Sequence, residues 1–206
     1  MEKRRLGKIE KMIGKTRLNL IQGDITLQET GAIVNAANTG LLGGGGVDGA
    51  IHRAGGPKIL EECKKIRAKQ GGCPTGEAVI TTAGNMATGH VIHTAGPVWH
   101  GGNRNEEQLL RNSYYNSLNL AKENGIKSIS FPSISTGVYR FPIDRAAKIA
   151  LTTVKEFIQE HNLKEVRFVL FSERDLKVYE EALKAGINAP RTKSAEDKEA
   201  QRKTIM

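Results

Sequence analysis

The sequence predicts an α/β protein built on a largely parallel sheet covered on both faces. Three observations predict it. Short apolar segments suited to strands alternate with longer segments of helical periodicity through most of the chain. Residues 166–171 form a nearly continuous apolar run, as expected of a strand buried on both faces. Two of the strand candidates run toward glycine-containing loops, and open α/β sheets hold ligands just outside the carboxyl ends of their strands.

In chain order, residues 2–13 read as a short helix with Leu6, Ile9 and Ile13 on one face. Gly14-Lys15-Thr16 resembles the end of a P-loop, but that motif needs a glycine where Ile9 stands. Residues 17–22 alternate Leu18 and Leu20 with polar residues and read as a strand, followed by a turn at 23–26 that contains Asp24. Residues 32–35 are a short buried strand. Residues 47–54 are a short helix, ended by Gly55-Gly56-Pro57. Residues 58–69 are amphipathic with Ile59, Leu60, Cys63 and Ile66 inward, which makes Cys63 a core residue. Residues 71–76 form a loop, and 78–82 and 90–94 are strands. His93 lies inside the second and reads as a hydrogen-bonded core histidine. Residues 106–125 are a long helix. Residues 128–132 are an apolar strand that enters the loop 133–142. A helix over 143–161, the strand 166–171 and a helix over 173–185 complete the fold, and the polar segment from 188 onward is expected to be disordered.

A chain of 206 residues suits one domain with a substantial core. No apolar run reaches membrane-spanning length, and no apolar h-region follows the basic N-terminus, so neither a membrane segment nor a signal peptide is expected. Two cysteines at this spacing suggest neither a disulfide framework nor a zinc pattern, and favour a reducing, cytoplasmic setting. The net charge of +9 is concentrated at the ends: residues 1–17 carry seven Lys/Arg against two Asp/Glu, and residues 188–206 carry five against three. Nucleic-acid readers carry their basic stripe on the folded surface, so these ends read as solvated arms rather than as a nucleic-acid interface.

The most informative stretch is 35–52, where Gly43, Gly44, Gly45 and Gly46 stand between two apolar segments. Asn35 and Asn38 precede the glycines, and Asp48 follows on the first turn of a helix. Consecutive glycines are useful where backbone must approach a ligand closely, and helix N-termini bind anions, so the stretch reads as a phosphate cradle with polar groups beside it. Residues 44–49 satisfy G-x-G-x-x-G, but no strand directly precedes them and no strand-end acid follows about 20 residues on, so the dinucleotide fingerprint fails in context. If the strands ending near Val34, Phe131 and Phe171 are parallel neighbours, their ends share one crevice. Two helix N-termini and two glycine loops would then face a diphosphate.

Five segments, 23–26, 33–38, 41–52, 91–97 and 131–139, together resemble the macrodomain family, MacroD type, over roughly residues 17–185. The resemblance implies a three-layer α/β/α fold with a mixed six-stranded sheet over residues 17–187. A basic extension at 1–16 and a charged tail at 188–206 lie outside it. It implies a monomeric hydrolase that removes ADP-ribose from mono-ADP-ribosylated acidic side chains and deacetylates O-acetyl-ADP-ribose, without metal or cofactor. Asp24 is then expected on the adenine amino group with Ile25 beside it, and Phe171 on the adenine ring. Asn35 belongs to the ligand-binding set. The backbone of Gly45, Gly46 and Val47 and of Ser135, Thr136, Gly137, Val138 and Tyr139 is expected on the diphosphate, with Tyr139 also near the distal ribose. Asn38 is expected to orient that ribose. Asp48 is expected to position or activate the attacking water, and a carboxylate favoured as the anion by a helix N-terminus is a weak base, which favours positioning. A zinc-dependent branch of the family supplies Cys and His ligands around the glycine loop. Here that loop has no Cys and His52 stands alone in it, so no zinc is expected. Arg140 departs from the glycine common in relatives and would recharge the mouth of the distal-ribose site. The main rival is a reader that binds ADP-ribose without turnover, and such a reader needs the cradle but not both Asn38 and Asp48. An RNA or ADP-ribose-polymer binder would instead show steep salt dependence.

Overall fold

The computed structural model describes residues 8–188. Its strands are β1 (Lys8–Ile13), β2 (Thr16–Gln22), β3 (Ala32–Ala37), β4 (Ala78–Thr82), β5 (His90–Ala95), β6 (Ser128–Phe131) and β7 (Glu165–Leu170). Its helices are α1 (Gly46–Gly55), α2 (Pro57–Gln70), α3 (Glu106–Glu123), α4 (Ile143–Glu160) and α5 (Glu173–Asn188). The strands form one sheet in the order β1-β2-β7-β6-β3-β5-β4. The five inner strands are parallel, and β1 and β4 pair antiparallel at the two edges.

Alternation along the strands sends side chains to two cores. Ile33 and Ala37 of β3 and Val91 of β5 join Ile51 of α1 and Ile59 and Cys63 of α2 on one face. Ala32 and Val34 of β3 and Ile92 of β5 join Leu110 of α3, Val154 of α4 and Tyr179 of α5 on the other. The result is the expected three-layer mixed α/β/α arrangement. The sheet has seven strands rather than six, because the helix expected over 2–13 is a strand from Lys8 to Ile13, paired along its length with β2. Ile9, Lys11 and Ile13 face inward there and Lys8, Glu10 and Met12 outward, with the two-residue period of a strand. The expected disorder from residue 188 onward concerns residues beyond those described, apart from Asn188, which ends α5.

Candidate functional site at the carboxyl ends of the strands

β3, β6 and β7 are parallel neighbours, so the three strand ends of interest open on one side of the sheet. β2 lies next to β7 in register, with Gln22 opposite Leu170, and Gly23 N–H donates to Leu170 carbonyl at 3.0 Å. Asp24 and Phe171 therefore leave adjacent strands side by side. Asp24 caps a single 3-10 turn, Ile25–Leu27, and its Oδ1 accepts from Thr26 N–H at 2.8 Å and Thr26 Oγ1 at 2.7 Å. Gln28 donates to the Asp24 carbonyl at 2.8 Å and accepts from Arg167 Nη1 at 2.6 Å, which ties the turn to β7. Ile25 is buried beneath the turn, whereas Phe171 is 90% exposed. An aromatic ring held almost bare at a strand end offers a stacking face for a flat ligand.

The first glycine loop follows β3. Leu41 takes φ +58 with its side chain buried, and Arg67 Nη1 fastens the loop from α2 by donating to Gly40 carbonyl at 3.0 Å. Asn38 Nδ2 donates to Gly43 carbonyl at 2.9 Å and its Oδ1 accepts from Gly40 N–H at 3.0 Å, so Asn38 braces the loop from within. Gly45 and Gly46 are exposed, and a Cβ on either would meet no atom within 4 Å. That space is left for something outside the chain. Gly45 starts α1 without a side-chain cap, which leaves the first N–H groups of the helix facing it. Gly49 has a different reason to be glycine, since its Cβ would stand 2.6 Å from Gly44 carbonyl oxygen.

Asp48 lies on the first turn of α1 and is 5% exposed. Its Oδ1 accepts from Asn35 Nδ2 at 2.6 Å, and His52 Nε2 lies 3.4 Å from the same oxygen without hydrogen-bond alignment. Its Oδ2 points toward Gly44, where an added Cβ would come within 3.0 Å of it and within 3.5 Å of Asn38 Nδ2. One carboxylate oxygen is thus tied to the core and the other faces the loop beside Asn38. Asn35, expected among the ligand-binding residues, is fully buried, and its amide nitrogen is engaged by Asp48 and by His93 Nδ1 at 3.0 Å. Strand alternation turns Asn35 onto the α1/α2 face, behind the carboxylate rather than into the cleft.

The second loop, after β6, is clamped by aromatic groups. Tyr114 Oη accepts from Ile134 N–H at 3.1 Å, and Tyr179 Oη donates to Ser133 Oγ at 3.0 Å. Burial pushes both phenols up, Tyr179 to about 12, so both keep their protons. Phe141 N–H donates to Ser135 carbonyl at 3.0 Å, and Arg140 N–H to Gly137 carbonyl at 2.9 Å, closing the loop on itself. Thr136 Oγ1 donates to Ser133 carbonyl at 3.1 Å. Trp99 N–H holds Tyr139 carbonyl at 2.9 Å, its ring packs on Phe141 at 4.6 Å, and Arg145 covers it at 5.5 Å. At the tip, Val138 is 91% exposed, and a Cβ on Gly137 would meet nothing within 4 Å. Ser135 and Arg140 take φ +66 and +56, which only glycine adopts without strain. Ser135 Oγ is buried without a hydrogen-bond partner, and Gly96 lies so close that a Cβ there would collide with it.

Sequence reasoning did not single out Glu106 or Trp99. Glu106 is buried at the start of α3, and it accepts from His100 N–H at 2.9 Å, Gly102 N–H at 3.2 Å and Arg104 N–H at 2.6 Å. Burial opposes its charge, but the N–H groups of Glu106 itself, Arg104, His100 and Gly102 outweigh it and hold the carboxyl down to about 2. It thereby folds the segment that carries Trp99 against the second loop. An acid opening a helix just after Gly101-Gly102 was the available signal.

Two residues from outside the glycine loop approach His52: ligand-type atoms of His52, of Cys63 on α2 and of His93 on β5 lie within 4.8 Å of one another. Both His93 nitrogens are already engaged, by Asn35 at 3.0 Å and Thr81 at 2.9 Å, and burial pushes the Cys63 thiol up to about 12. Cys63 and His93 are buried core residues, the roles their sequence context predicts.

Fold and cleft define an α/β domain with two backbone loops on one side of its sheet, each leading into a helix without a side-chain cap, α1 and α4, together with the bare ring of Phe171 and the held carboxylate of Asp48. Residues 34–150 match the Macro domain family profile. A macro domain-containing protein of Caldanaerobacter subterraneus is 61% identical over 168 residues, covering 82% of this chain and 96% of the relative. An Escherichia fergusonii protein named O-acetyl-ADP-ribose deacetylase is 57% identical over 170 residues, with the same shares covered. The Oceanobacillus iheyensis macrodomain, solved with ADP, superposes with a TM-score of 0.85 at 49% identity over 87% of this chain and 96% of that one. The chain belongs to the macrodomain family.

Proposed function

We propose that this protein is an ADP-ribosyl hydrolase, a cytoplasmic monomer that deacetylates O-acetyl-ADP-ribose and removes ADP-ribose from mono-ADP-ribosylated acidic side chains. The observation that carries the reading is Asp48: a nearly buried carboxylate with one oxygen fixed by Asn35 and the other turned to the glycine loop beside Asn38. The name of the Escherichia fergusonii relative supports it. The adenine lies on Phe171 with its amino group on the Asp24 carboxylate. The diphosphate lies on the N–H groups of Gly45, Gly46 and Val47 and of Ser135, Thr136, Gly137, Val138 and Tyr139. Asn38 and Tyr139 flank the distal ribose. Asp48 Oδ2 then holds a water against the ester. The water oxygen bonds to the reacting carbon, the ester C–O bond breaks, and a proton passes to the departing oxygen, leaving a carboxylic acid and a free hydroxyl. Arg140, exposed beside this end, bears on which acyl group or protein surface is accepted.

The test is incubation with O-acetyl-ADP-ribose, and separately with a glutamate-linked mono-ADP-ribosylated protein, each in the presence of a chelator, assaying released acetate and ADP-ribose. Turnover of both is expected. Binding of ADP-ribose with no turnover of either would make the protein a reader.

A further inference from the structure

Behind Asp48 lies a chain of polar side chains enclosed in the core. Asn35 on β3 and His93 on β5 are cross-strand partners, and Thr81 on β4 lies beside His93 on the same face. Asn35 and His93 are fully buried and Thr81 is 4% exposed. The carboxylate identifies which end of the Asn35 amide faces it, because an amide oxygen 2.6 Å from Asp48 Oδ1 would be repelled. The nitrogen therefore faces Asp48 and gives its second hydrogen to His93 Nδ1 at 3.0 Å. His93 Nδ1 must then be the unprotonated nitrogen, and Nε2–H donates to Thr81 Oγ1 at 2.9 Å. Thr81 in turn donates to Thr82 carbonyl at 3.0 Å, which closes the chain on the backbone. Every hydrogen between Asp48 and the backbone of β4 is placed by this sequence of bonds. Asn35 Oδ1 is buried with no partner, so nothing on its oxygen side fixes the amide.

We propose that His93 is a positioning residue for the reaction: as the Nε2–H tautomer, it holds the Asn35 amide in the one orientation that aims the Asp48 carboxylate at the glycine loop. The inference rests on the hydrolase reading. His93 is fully buried, with Asn35 and Thr81 on its two ring nitrogens. Its task is to present a hydrogen-bond acceptor toward Asn35 while Thr81 fixes the ring. Burial first, and the neighbouring His52 second, push its basicity down to about 3, so it stays a neutral acceptor at any pH at which the protein would work.

Two substitutions separate this role from mere filling of the core. His93→Asn keeps an acceptor near the position of Nδ1 and loses the donor toward Thr81. His93→Gln keeps the donor and loses the acceptor. Steady-state hydrolysis of O-acetyl-ADP-ribose and calorimetric titration of ADP-ribose are measured for both and for wild type. The expected result is that His93→Gln loses kcat by at least about tenfold, the cost of one buried hydrogen bond, with KM and the ADP-ribose Kd nearly unchanged. His93→Asn is expected to recover most of kcat. Equal kcat in wild type and His93→Gln, or equal losses in the two variants, would overturn the inference and leave the hydrolase reading intact. A wild type without turnover would overturn that reading, and the inference with it. An independent measurement needs no variant to fold: the ring nitrogen shifts of His93 in wild type labelled with nitrogen-15. The Nε2–H tautomer is expected, and an Nδ1–H tautomer would overturn the inference by itself.

Discussion

The two loops that frame the cleft are held to the same sheet by opposite means. The loop after β3 is fixed by polar groups: Asn38 spans it, Arg67 grips it from α2, and Asp48 behind it ends in the chain of Asn35, His93 and Thr81. The loop after β6 is fixed by rings: Tyr114 and Tyr179 beneath it, and Trp99 on Phe141 at its side. Hydrogen-bonded networks specify the direction of a group, whereas close packing specifies the position of a backbone. The first loop therefore suits chemistry, where a carboxylate must point. The second suits binding, where a row of N–H groups must stay in place. Both leave room for a ligand at glycines with no neighbours, Gly45 and Gly46 on one side and Gly137 on the other.

If the loops divide the work in this way, substitutions in them should separate turnover from affinity. The largest effect is expected at Asp48. Asp48→Ala should lose hydrolysis by at least about 10²-fold, the usual worth of a group that handles the attacking water, while ADP-ribose binds as well as to wild type or better. Single-turnover assays beside ligand titration decide it, and an unchanged rate would remove chemistry from the first loop. Next comes Gly137→Glu. Nothing crowds this position, so the variant should fold, but a carboxylate set beside phosphate should weaken ADP-ribose binding by more than about 10²-fold, since like-charge contacts cost several kcal/mol. Near-normal affinity would place the diphosphate elsewhere.

The smallest effect is expected at Glu106, which acts on the second loop only through Trp99. Its folded-state carboxyl is held near 2, below its ordinary 4.5, so the stabilisation is fully present above about pH 4.5 and is lost as pH falls toward 2. Glu106→Gln should melt below wild type at neutral pH, and the gap should close as acid is added. A gap that stays constant from pH 7 to pH 2 would mean that the charge contributes nothing.

Much of this arrangement was legible in the sequence. The helices and parallel strands follow from apolar periodicity, and the two loops announce themselves by glycine. β1 was misread because Ile9 and Ile13 are four residues apart, a spacing that fits the face of a helix and the face of a strand equally. Only the partner strand decides, and a hairpin across Gly14 is not visible in a six-residue pattern. Asn35 reads as a ligand contact because it stands shortly before the glycine run that begins at Gly43. Its true direction depends on strand alternation against a neighbour, β5, that lies more than fifty residues away in the chain. The approach of Cys63 and His93 to His52 is hidden for the same reason, since they reach it from α2 and β5. Contacts formed through sheet order are those that a single sequence hides most completely.

The edge position of β1 has a consequence for how many molecules one sheet contains. β1 closes the sheet beside β2, with Lys8, Glu10 and Met12 turned outward and Glu10 held between Lys8 at 3.1 Å and Arg17 at 3.9 Å. A chain trimmed to begin at β2 would bare a full row of unpaired peptide groups on a strand whose side chains include Leu18, Leu20 and Ile21. Such a row is a template on which a second molecule can add its own strand. The short strand covers that apolar row and puts in its place an edge whose outward side chains include Lys8 and Glu10, the kind of charged edge that discourages further pairing.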